Sequence, residues 1–172
     1  MKEFKLLDGS IVETAEKCRG CFLINSQISD YLNPIFENEY IIIRQDMEFP
    51  IPAFYIISTK KHISSYEEMN KVLRGEVSEA IYLLRKALKE ELGIKRVTII
   101  QEEKDNSSHF HIWMLPVWED VTKERKINPR VIENNLLDYM NSFSFEKNSK
   151  DILKCNDRMK IYLGNKIYKQ SQ

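Results

Sequence analysis

Two of the three histidines in this chain stand one residue apart, in the sequence His109-Phe110-His111. The surrounding segment, residues 107–116, is rich in strand-forming residue types and is predicted to be a β-strand. Because side chains alternate between the two faces of a strand, His109, His111 and Trp113 should share one face. The intervening apolar residues should pack into the core. The segment therefore predicts a strand with imidazole chemistry on one side and a hydrophobic surface on the other.

Two cysteines and the third histidine add metal-binding chemistry. Cys18 and Cys21 form a Cys-x-x-Cys pair, and His62 closes a segment rich in strand formers. Two cysteines with two histidines can hold a tetrahedral zinc ion, which leaves one histidine over for chemistry. Taken alone, the cysteine pair would equally suit a redox-active dithiol, and His62 would suit a surface or capping position. The set taken together favours zinc in a closed, structural site.

Length and charge limit the partners that this chain can have. Its 172 residues are enough for a single domain with a continuous core. Lys plus Arg (26) balance Asp plus Glu (26), so no net field attracts nucleic acid or an anionic membrane, and a small-molecule partner is expected. No signal peptide or membrane-spanning run is apparent, which predicts a cytoplasmic protein. A structural disulfide is not expected there, and Cys155 should be a small buried side chain.

Hydrophobic periodicity predicts an α+β architecture. Apolar residues recur with helical spacing from Glu76 to Leu92, and Gly93 is placed to end that helix. A hairpin is expected around Asp8-Gly9, and the Cys-x-x-Cys pair should lie in the loop after it. Further strands are predicted at 40–44, 53–58, 96–101 and 109–115, and helices at 128–141 and 149–163, with a frayed tail after Gly164. The strands should form an antiparallel meander packed against one long helix.

These residues carry a resemblance to a known family. Three features resemble the histidine triad (HIT) family of nucleotide hydrolases and transferases. They are the H-x-H-x-x-x-x-P strand, the Asp46 turn followed sixteen residues later by His62, and the long helix between that turn and the strand. The resemblance spans residues 15–118 of a single domain, 1–172, and leaves 119–172 as a C-terminal helical extension. It extends to galactose-1-phosphate uridylyltransferase, a relative whose zinc ligands correspond in order to Cys18, Cys21, His62 and His109.

The resemblance implies an activity and a role for each residue. His111 would be the nucleophile that attacks an α-phosphorus and forms a nucleotidyl-histidine intermediate, as in a diadenosine polyphosphate hydrolase or a phosphoramidate hydrolase. Its other ring nitrogen must then donate a proton to a carbonyl or carboxylate. Asp46 would bind the ribose hydroxyls, unless it is only a turn residue. Met47 would flank the base, and Asn106 and Ser107 would contact phosphate. The family's usual two-fold dimer would make this chain a homodimer.

Three positions depart from the family's pattern. Trp113 occupies the place of the third histidine, or of the glutamine in the transferase branch, and an indole cannot accept a proton; it would stack on the ligand or simply pack. The segment 102–108 lacks the family's phosphate-binding glycines. Arg44 stands where an apolar residue usually lies near the base, and it could stack on the base. These departures leave two alternatives beside hydrolysis: a nucleotide-binding or sensing protein without turnover, and a nucleotidyl transferase or phosphorylase.

Overall fold

A five-stranded antiparallel sheet lies at the centre of the computed structural model, which describes residues 1–26, 28–103, 108–124 and 132–170. A separate two-stranded hairpin precedes the sheet, and helices follow and flank it. In chain order the strands and α-helices are β1 (Lys2–Lys5), β2 (Ile11–Thr14), α1 (Arg19–Asn25), β3 (Phe36–Glu37), β4 (Ile41–Gln45), β5 (Tyr55–Thr59), α2 (Lys71–Leu92), β6 (Val97–Gln101), β7 (His111–Pro116), α3 (Glu119–Glu124), α4 (Ile132–Met140) and α5 (Phe145–Gln170). The predicted α+β class is confirmed.

The strand order in the sheet places the histidine strand in its interior. The order is β3-β4-β5-β7-β6, so β7 lies between β5 and the edge strand β6. This departs from the order of a simple meander because α2 carries the chain to the edge before β7 returns beside β5. His111 lies opposite Ser58, and Trp113 lies opposite Ile56 on one side and Ile100 on the other. An interior strand is held by ladders on both sides, which makes it a rigid support for reactive side chains.

Alternation along β7 separates the core from the chemistry as predicted. Phe110, Ile112 and Met114 are buried in the main core, against the apolar face of α2. His111 and Trp113 point to the other face and remain partly exposed. The helix that covers the core begins five residues before the predicted start, because the Asn70 side chain accepts a hydrogen bond from the Leu73 amide and caps it there.

The Cys-x-x-Cys segment does not lie in a loop, as the sequence suggested, but opens the short helix α1. Cys18 is the N-cap, and its sulfur lies 3.4 Å from the amide nitrogen of Cys21. Phe4 of the hairpin packs edge-on against Phe22 of α1, with ring centroids 5.6 Å apart. Arg44, expected near the base, instead donates a hydrogen bond from Nη1 to the Leu23 carbonyl at 2.5 Å. Its buried guanidinium therefore anchors α1 to the sheet.

The C-terminal helices differ from the prediction at their ends. Helix α5 continues to Gln170, so the expected fraying after Gly164 is wrong. Met159 and Leu163 of α5 are buried against α2, and Arg158 approaches the Glu91 carboxylate. This packing stabilises the helix beyond what its own residues would. The predicted helix start at 128 lies outside the described residues. Over those residues, no helix combines the length and apolar character needed to cross a membrane.

Two glycines of α2 should respond oppositely to alanine. Gly75 lies inside the helix, and a Cβ there would meet nothing within 4 Å, so Gly75→Ala should raise the free energy of unfolding by about 0.5–1 kcal/mol. Gly93 ends the helix with φ 68°, which alanine adopts at a cost, so Gly93→Ala should lower it by about 1 kcal/mol. Urea unfolding of both variants measures these changes in the free energy of unfolding. Changes of the same sign in the two variants would contradict the helix boundaries.

Candidate active site and metal centre

A cavity of about 300 Å³ opens on the face of the sheet that carries His111. Its wall includes four of the residues predicted for the site: Asp46, Met47, His111 and Trp113. Cys18 and His109 form another part of the wall, so the predicted catalytic and metal-binding residues are neighbours. Asn106 and Ser107 lie outside the described residues. The remaining lining residues are Arg19, Gly20, Leu23, Glu48, Ile56, Ser58, Glu102 and Ser108.

The four predicted metal ligands converge beside this cavity. The ligand atoms of Cys18, Cys21, His62 and His109 all lie within 4.8 Å of one another. The Nδ1 atom of His109 is 3.6 Å from each cysteine sulfur, and Nδ1 of His62 is 3.3 Å from the Cys21 sulfur. Tetrahedral zinc with Zn–S of about 2.3 Å and Zn–N of about 2.0–2.1 Å places sulfur and nitrogen ligands roughly 3.6 Å apart. The donor set and spacing therefore fit zinc.

The ionisation of these side chains also suits a metal ligand set. Burial, together with the neighbouring Cys18, raises the pKa of the Cys21 thiol to about 11. A thiol with so high a pKa stays protonated at neutral pH unless a cation, such as a bound metal ion, stabilises the thiolate. Burial likewise lowers the pKa of His109. That histidine therefore favours the neutral form, which is the form that binds metals.

His109 is fixed at three points. Its Nε2 donates a hydrogen bond to the Thr59 carbonyl at 2.6 Å, which leaves Nδ1 as the nitrogen that faces the cysteines. Its own carbonyl oxygen lies 2.8 Å from Nδ1 of His111. The ring packs against Gly20, where a Cβ would lie 2.4 Å from the Cβ of His109. A glycine between the two cysteines is therefore required for α1 to approach this close to the strand.

The contact between His109 and His111 sets the tautomer of the second histidine. A carbonyl oxygen only accepts hydrogen bonds, so Nδ1 of His111 must carry the proton. Nε2 of the neutral ring then carries the free lone pair. This is the arrangement that a nucleophilic imidazole needs. The resemblance implied that a carbonyl or carboxylate accepts the proton of His111, and the structure identifies the group as the His109 carbonyl.

Asp46 is buried at the end of β4. One carboxylate oxygen accepts hydrogen bonds from the amides of Glu48 and Phe49, at 2.9 and 2.8 Å, which is the local bonding of a turn aspartate. Burial nevertheless raises its pKa to about 7, against the effect of those two bonds. Asp46 therefore shapes the turn and also lines the cavity.

Comparisons with known proteins identify the fold. Neither a family model nor a curated protein matches the sequence. A Zn-bound histidine triad family protein from Mycobacterium smegmatis superimposes with a TM-score of 0.60 at 11% identity, covering 90% of this chain and 97% of its own. A hypothetical histidine triad nucleotide-binding protein from Sulfolobus tokodaii strain7 gives 0.60 at 18% identity, covering 86% and 93%. The chain has the histidine triad fold.

A third structure agrees. A Hit-like protein involved in cell-cycle regulation from Bartonella henselae superimposes with a TM-score of 0.56 at 16% identity, covering 81% of this chain and 91% of its own. The coverage of the first two structures also exceeds residues 15–118, which carry the sequence motifs. The histidine triad fold therefore accounts for more of this chain than its motifs indicate.

Within the histidine triad fold, Trp113 is the main departure at the site. Its ring centroid lies 5.2 Å from that of His111, and the ring also packs edge-on against Phe54. Its Nε1 atom is buried and has no hydrogen-bond partner among the described residues. The indole therefore places a large aromatic ring beside His111, at the position where the resemblance implies an imidazole or an amide.

Among the lining residues that were not predicted from the sequence, Arg19 and Glu48 form an ion pair. Arg19 lies between Cys18 and Cys21; its Nη1 is 2.6 Å from a Glu48 carboxylate oxygen, and its guanidinium lies 4.7 Å from the centroid of the Phe4 ring. This ion pair joins α1 to the turn after Asp46 and forms one wall of the cavity.

Gly20→Ala should test the contact between α1 and His109. The new methyl group would overlap the histidine ring, so His109 must move, and metal affinity should fall at least tenfold. Titration with Co²⁺, followed through the ligand-field bands of a tetrahedral thiolate site, measures this directly. Gly75→Ala is the matched control and should leave the Co²⁺ affinity unchanged. Equal affinities in both variants would contradict the close approach.

Asp46→Asn should change how stability depends on pH. Because the folded-state pKa is raised to about 7, the folded chain retains a proton between about pH 4 and 7 that the unfolded chain has lost. The free energy of unfolding of the wild type should therefore fall as the pH rises from about 4 to 7, and it should level off above pH 7. Asp46→Asn removes this term, so the difference between the two proteins should change by a few kcal/mol across the window. A difference that is constant in pH would refute the raised pKa.

Proposed function

We propose that the protein is a nucleotide hydrolase that cleaves a nucleoside phosphate at its α-phosphorus through a covalent nucleotidyl-His111 intermediate. The single observation that carries the proposal is the hydrogen bond between Nδ1 of His111 and the His109 carbonyl at 2.8 Å. It presents Nε2 as a lone-pair donor at the wall of a cavity of suitable size for part of a nucleotide. The histidine triad fold supports this assignment.

The reaction divides into two displacements at phosphorus. The lone pair on Nε2 of His111 attacks the α-phosphorus, and the bond to the leaving group breaks. The imidazole becomes positively charged in this step, and the His109 carbonyl stabilises that charge through the Nδ1 proton. Water then attacks the phosphorus, the P–N bond breaks, and the neutral imidazole is restored. Replacing this water with another acceptor would make the same intermediate serve a transferase or phosphorylase.

Nucleoside recognition would come from the end of β4. Asp46 lies at the wall of the cavity. Its Oδ1 accepts hydrogen bonds from the turn amides, and Oδ2 would accept a hydrogen bond from a ribose hydroxyl. Met47 would flank the base. Asn106 and Ser107 remain the proposed phosphate contacts. Glu48 and Glu102 add negative charge to the wall, and the Arg19 guanidinium offsets that of Glu48. This acidity and Trp113 favour a second candidate, a protein that binds or senses nucleotides without turning them over.

We further propose that zinc occupies the cluster of Cys18, Cys21, His62 and His109. When bound, zinc would act as a structural ion, because four protein ligands leave no position for water or substrate. The residues themselves support this role. His109 carries the carbonyl that orients His111, and the cysteines tie α1 to the strand. The cluster therefore positions the nucleophile without taking part in the displacement.

His111→Asn should separate catalysis from binding. The amide is of similar size but cannot form the phosphorus–nitrogen bond, so turnover should fall at least about 10³-fold, while nucleotide affinity and stability stay nearly unchanged. Mass spectrometry after brief mixing with a panel of nucleotides should detect a nucleotidyl adduct on the wild type and none on the variant. Tight nucleotide binding without adduct or product would instead support the sensing protein.

His109→Asn is the matched comparison on the same strand. It should lose metal and stability, and activity only as a consequence. Assayed well below its unfolding temperature, the variant should keep part of its turnover, because His111 is present although its orientation is no longer held; His111→Asn should not recover at any temperature. If His109→Asn is as stable as the wild type but as inactive as His111→Asn, the division of roles between the two histidines is wrong.

Zinc itself is tested by metal analysis of freshly purified protein. About one zinc per chain is expected, and Cys18→Ser should lose it and lower the thermal midpoint by about 10 °C, since metal affinity becomes folding free energy. Cys155→Ala is the control, because Cys155 is buried in the main core away from the cluster. Zinc-free wild-type protein, with Cys18→Ser as stable as wild type, would exclude the metal site.

A further inference from the structure

The residue across the strand ladder from His111 is a serine. Ser58 of β5 pairs with His111 of β7, so the two side chains leave the sheet on the same face, with Cβ atoms about 4.5–5.5 Å apart. On the other side, β7 pairs with β6 only from Ile112 onwards, where Ile112 lies opposite Gln101. Ser58 is therefore the ladder partner that His111 has in the described sheet.

Both side chains open into the same cavity. Ser58 and His111 line the cavity of about 300 Å³, and both are half-buried and keep accessible surface. Within the described part of the chain, the Ser58 hydroxyl takes part in no hydrogen bond. A serine hydroxyl has one hydrogen to donate and also accepts hydrogen bonds. It can therefore donate to a ligand in the cavity without giving up a partner in the protein.

The side chains around Ser58 on this face of the sheet are apolar. Ile42 lies opposite Ser58 on β4, and Ile56 and Trp113 form the next cross-strand pair on the same face. A β-branched apolar residue would be a stronger strand former at this position and would match its neighbours. A hydroxyl gives up that apolar packing beside the proposed nucleophile, which favours a polar ligand as its partner.

The charged side chains on the described wall leave room for a neutral donor to phosphate. Glu48 and Glu102 are acidic, and Nη1 of Arg19 lies 2.6 Å from a Glu48 carboxylate oxygen. A phosphate group in the cavity therefore meets a cation whose charge is already compensated. A hydroxyl binds a phosphate oxygen by donating its hydrogen and adds no charge of its own. Ser58 supplies such a group beside the residue that attacks.

Resting on the proposed function, we propose that Ser58 is a catalytic residue whose hydroxyl donates a hydrogen bond to a non-bridging oxygen of the α-phosphate. When Nε2 of His111 attacks, the phosphorus–nitrogen bond forms, and the bond to the leaving group breaks with its electron pair on the leaving group. The charge of the transition state is spread over the non-bridging oxygens. Ser58 keeps its proton and stabilises that charge, and the same contact holds the nucleotidyl group while water attacks.

A matched pair of variants tests the hydroxyl. Threonine and valine have nearly the same shape and both suit a strand, so Ser58→Thr and Ser58→Val differ in the hydroxyl alone. The probe is the p-nitrophenyl ester of adenosine 5′-phosphate, with the guanosine ester in parallel, and the burst of nitrophenolate reports the first displacement. Ser58→Val should slow the burst by about 10- to 100-fold, as expected for one donor to a charged group, and Ser58→Thr by less than about threefold.

Sulfur substitution assigns the contact to one oxygen. Replacing one non-bridging oxygen of the probe with sulfur gives two diastereomers, and sulfur is a weak hydrogen-bond acceptor. In the wild type, the diastereomer whose sulfur faces Ser58 loses the contact and the other keeps it. The ratio of their burst rates should therefore change by about tenfold between the wild type and Ser58→Val. A merely structural role for Ser58 would slow both diastereomers alike and leave the ratio unchanged.

The outcomes separate this inference from the function on which it rests. Ser58→Ala, which removes the hydroxyl without adding bulk, should reproduce the result of Ser58→Val and replaces it if valine disturbs folding. If the threonine and valine variants react equally fast, or the diastereomer ratio stays constant, with an adduct on His111 in each protein, the Ser58 contact is overturned and the nucleotidyl-histidine mechanism stands. If no probe gives adduct or product with the wild type, the proposed function fails, and the inference fails with it.

Discussion

The placement of His109 is the constraint on which the site depends. The two ring nitrogens and the carbonyl of this residue all have partners: Nδ1 faces the two cysteines, Nε2 donates to the Thr59 carbonyl, and the backbone carbonyl accepts from His111. Together these contacts connect the cluster of Cys18, Cys21 and His62 to His111 through a single buried residue. The cost of burying the His109 imidazole is offset by satisfying both of its nitrogens, and its carbonyl fixes the tautomer of His111, two residues further along the chain.

The surrounding elements hold His109 from two sides. The strand β7 is interior in the sheet, which fixes its backbone, and helix α1 approaches closely enough that only glycine fits at position 20. Arg44 and the N-terminal hairpin hold α1 in that position through the Leu23 carbonyl and the Phe22 ring. The cavity lies where these elements meet, so its polar wall is preorganised before a ligand enters.

The sequence predicted the local features of this arrangement and missed those that depend on distant residues. The two-residue alternation around His111 and the helical period ending at Gly93 are set by neighbouring residues, and both predictions are confirmed. Helix α1 was missed because its seven residues show little periodicity, and Arg44 supports it from 21 residues away. The carbonyl that accepts the hydrogen bond of His111 could not be named from the sequence, because every residue has a backbone carbonyl. Helix α5 begins four residues before the predicted start, at Phe145, whose ring packs edge-on against Tyr31 from a distant part of the chain.

The central claim is that the proposed metal ion, held by Cys18, Cys21, His62 and His109, fixes the tautomer of His111 through His109. Two-bond ¹H–¹⁵N correlation spectra of the histidine rings test it most directly, recorded with zinc bound and after chelation. With metal bound, His111 should show a protonated Nδ1 and an unprotonated Nε2, and after chelation it should show fast exchange between tautomers as the His109 carbonyl loses its position. A His111 ring protonated at Nε2 with metal bound, or a spectrum unchanged by chelation, would contradict the claim.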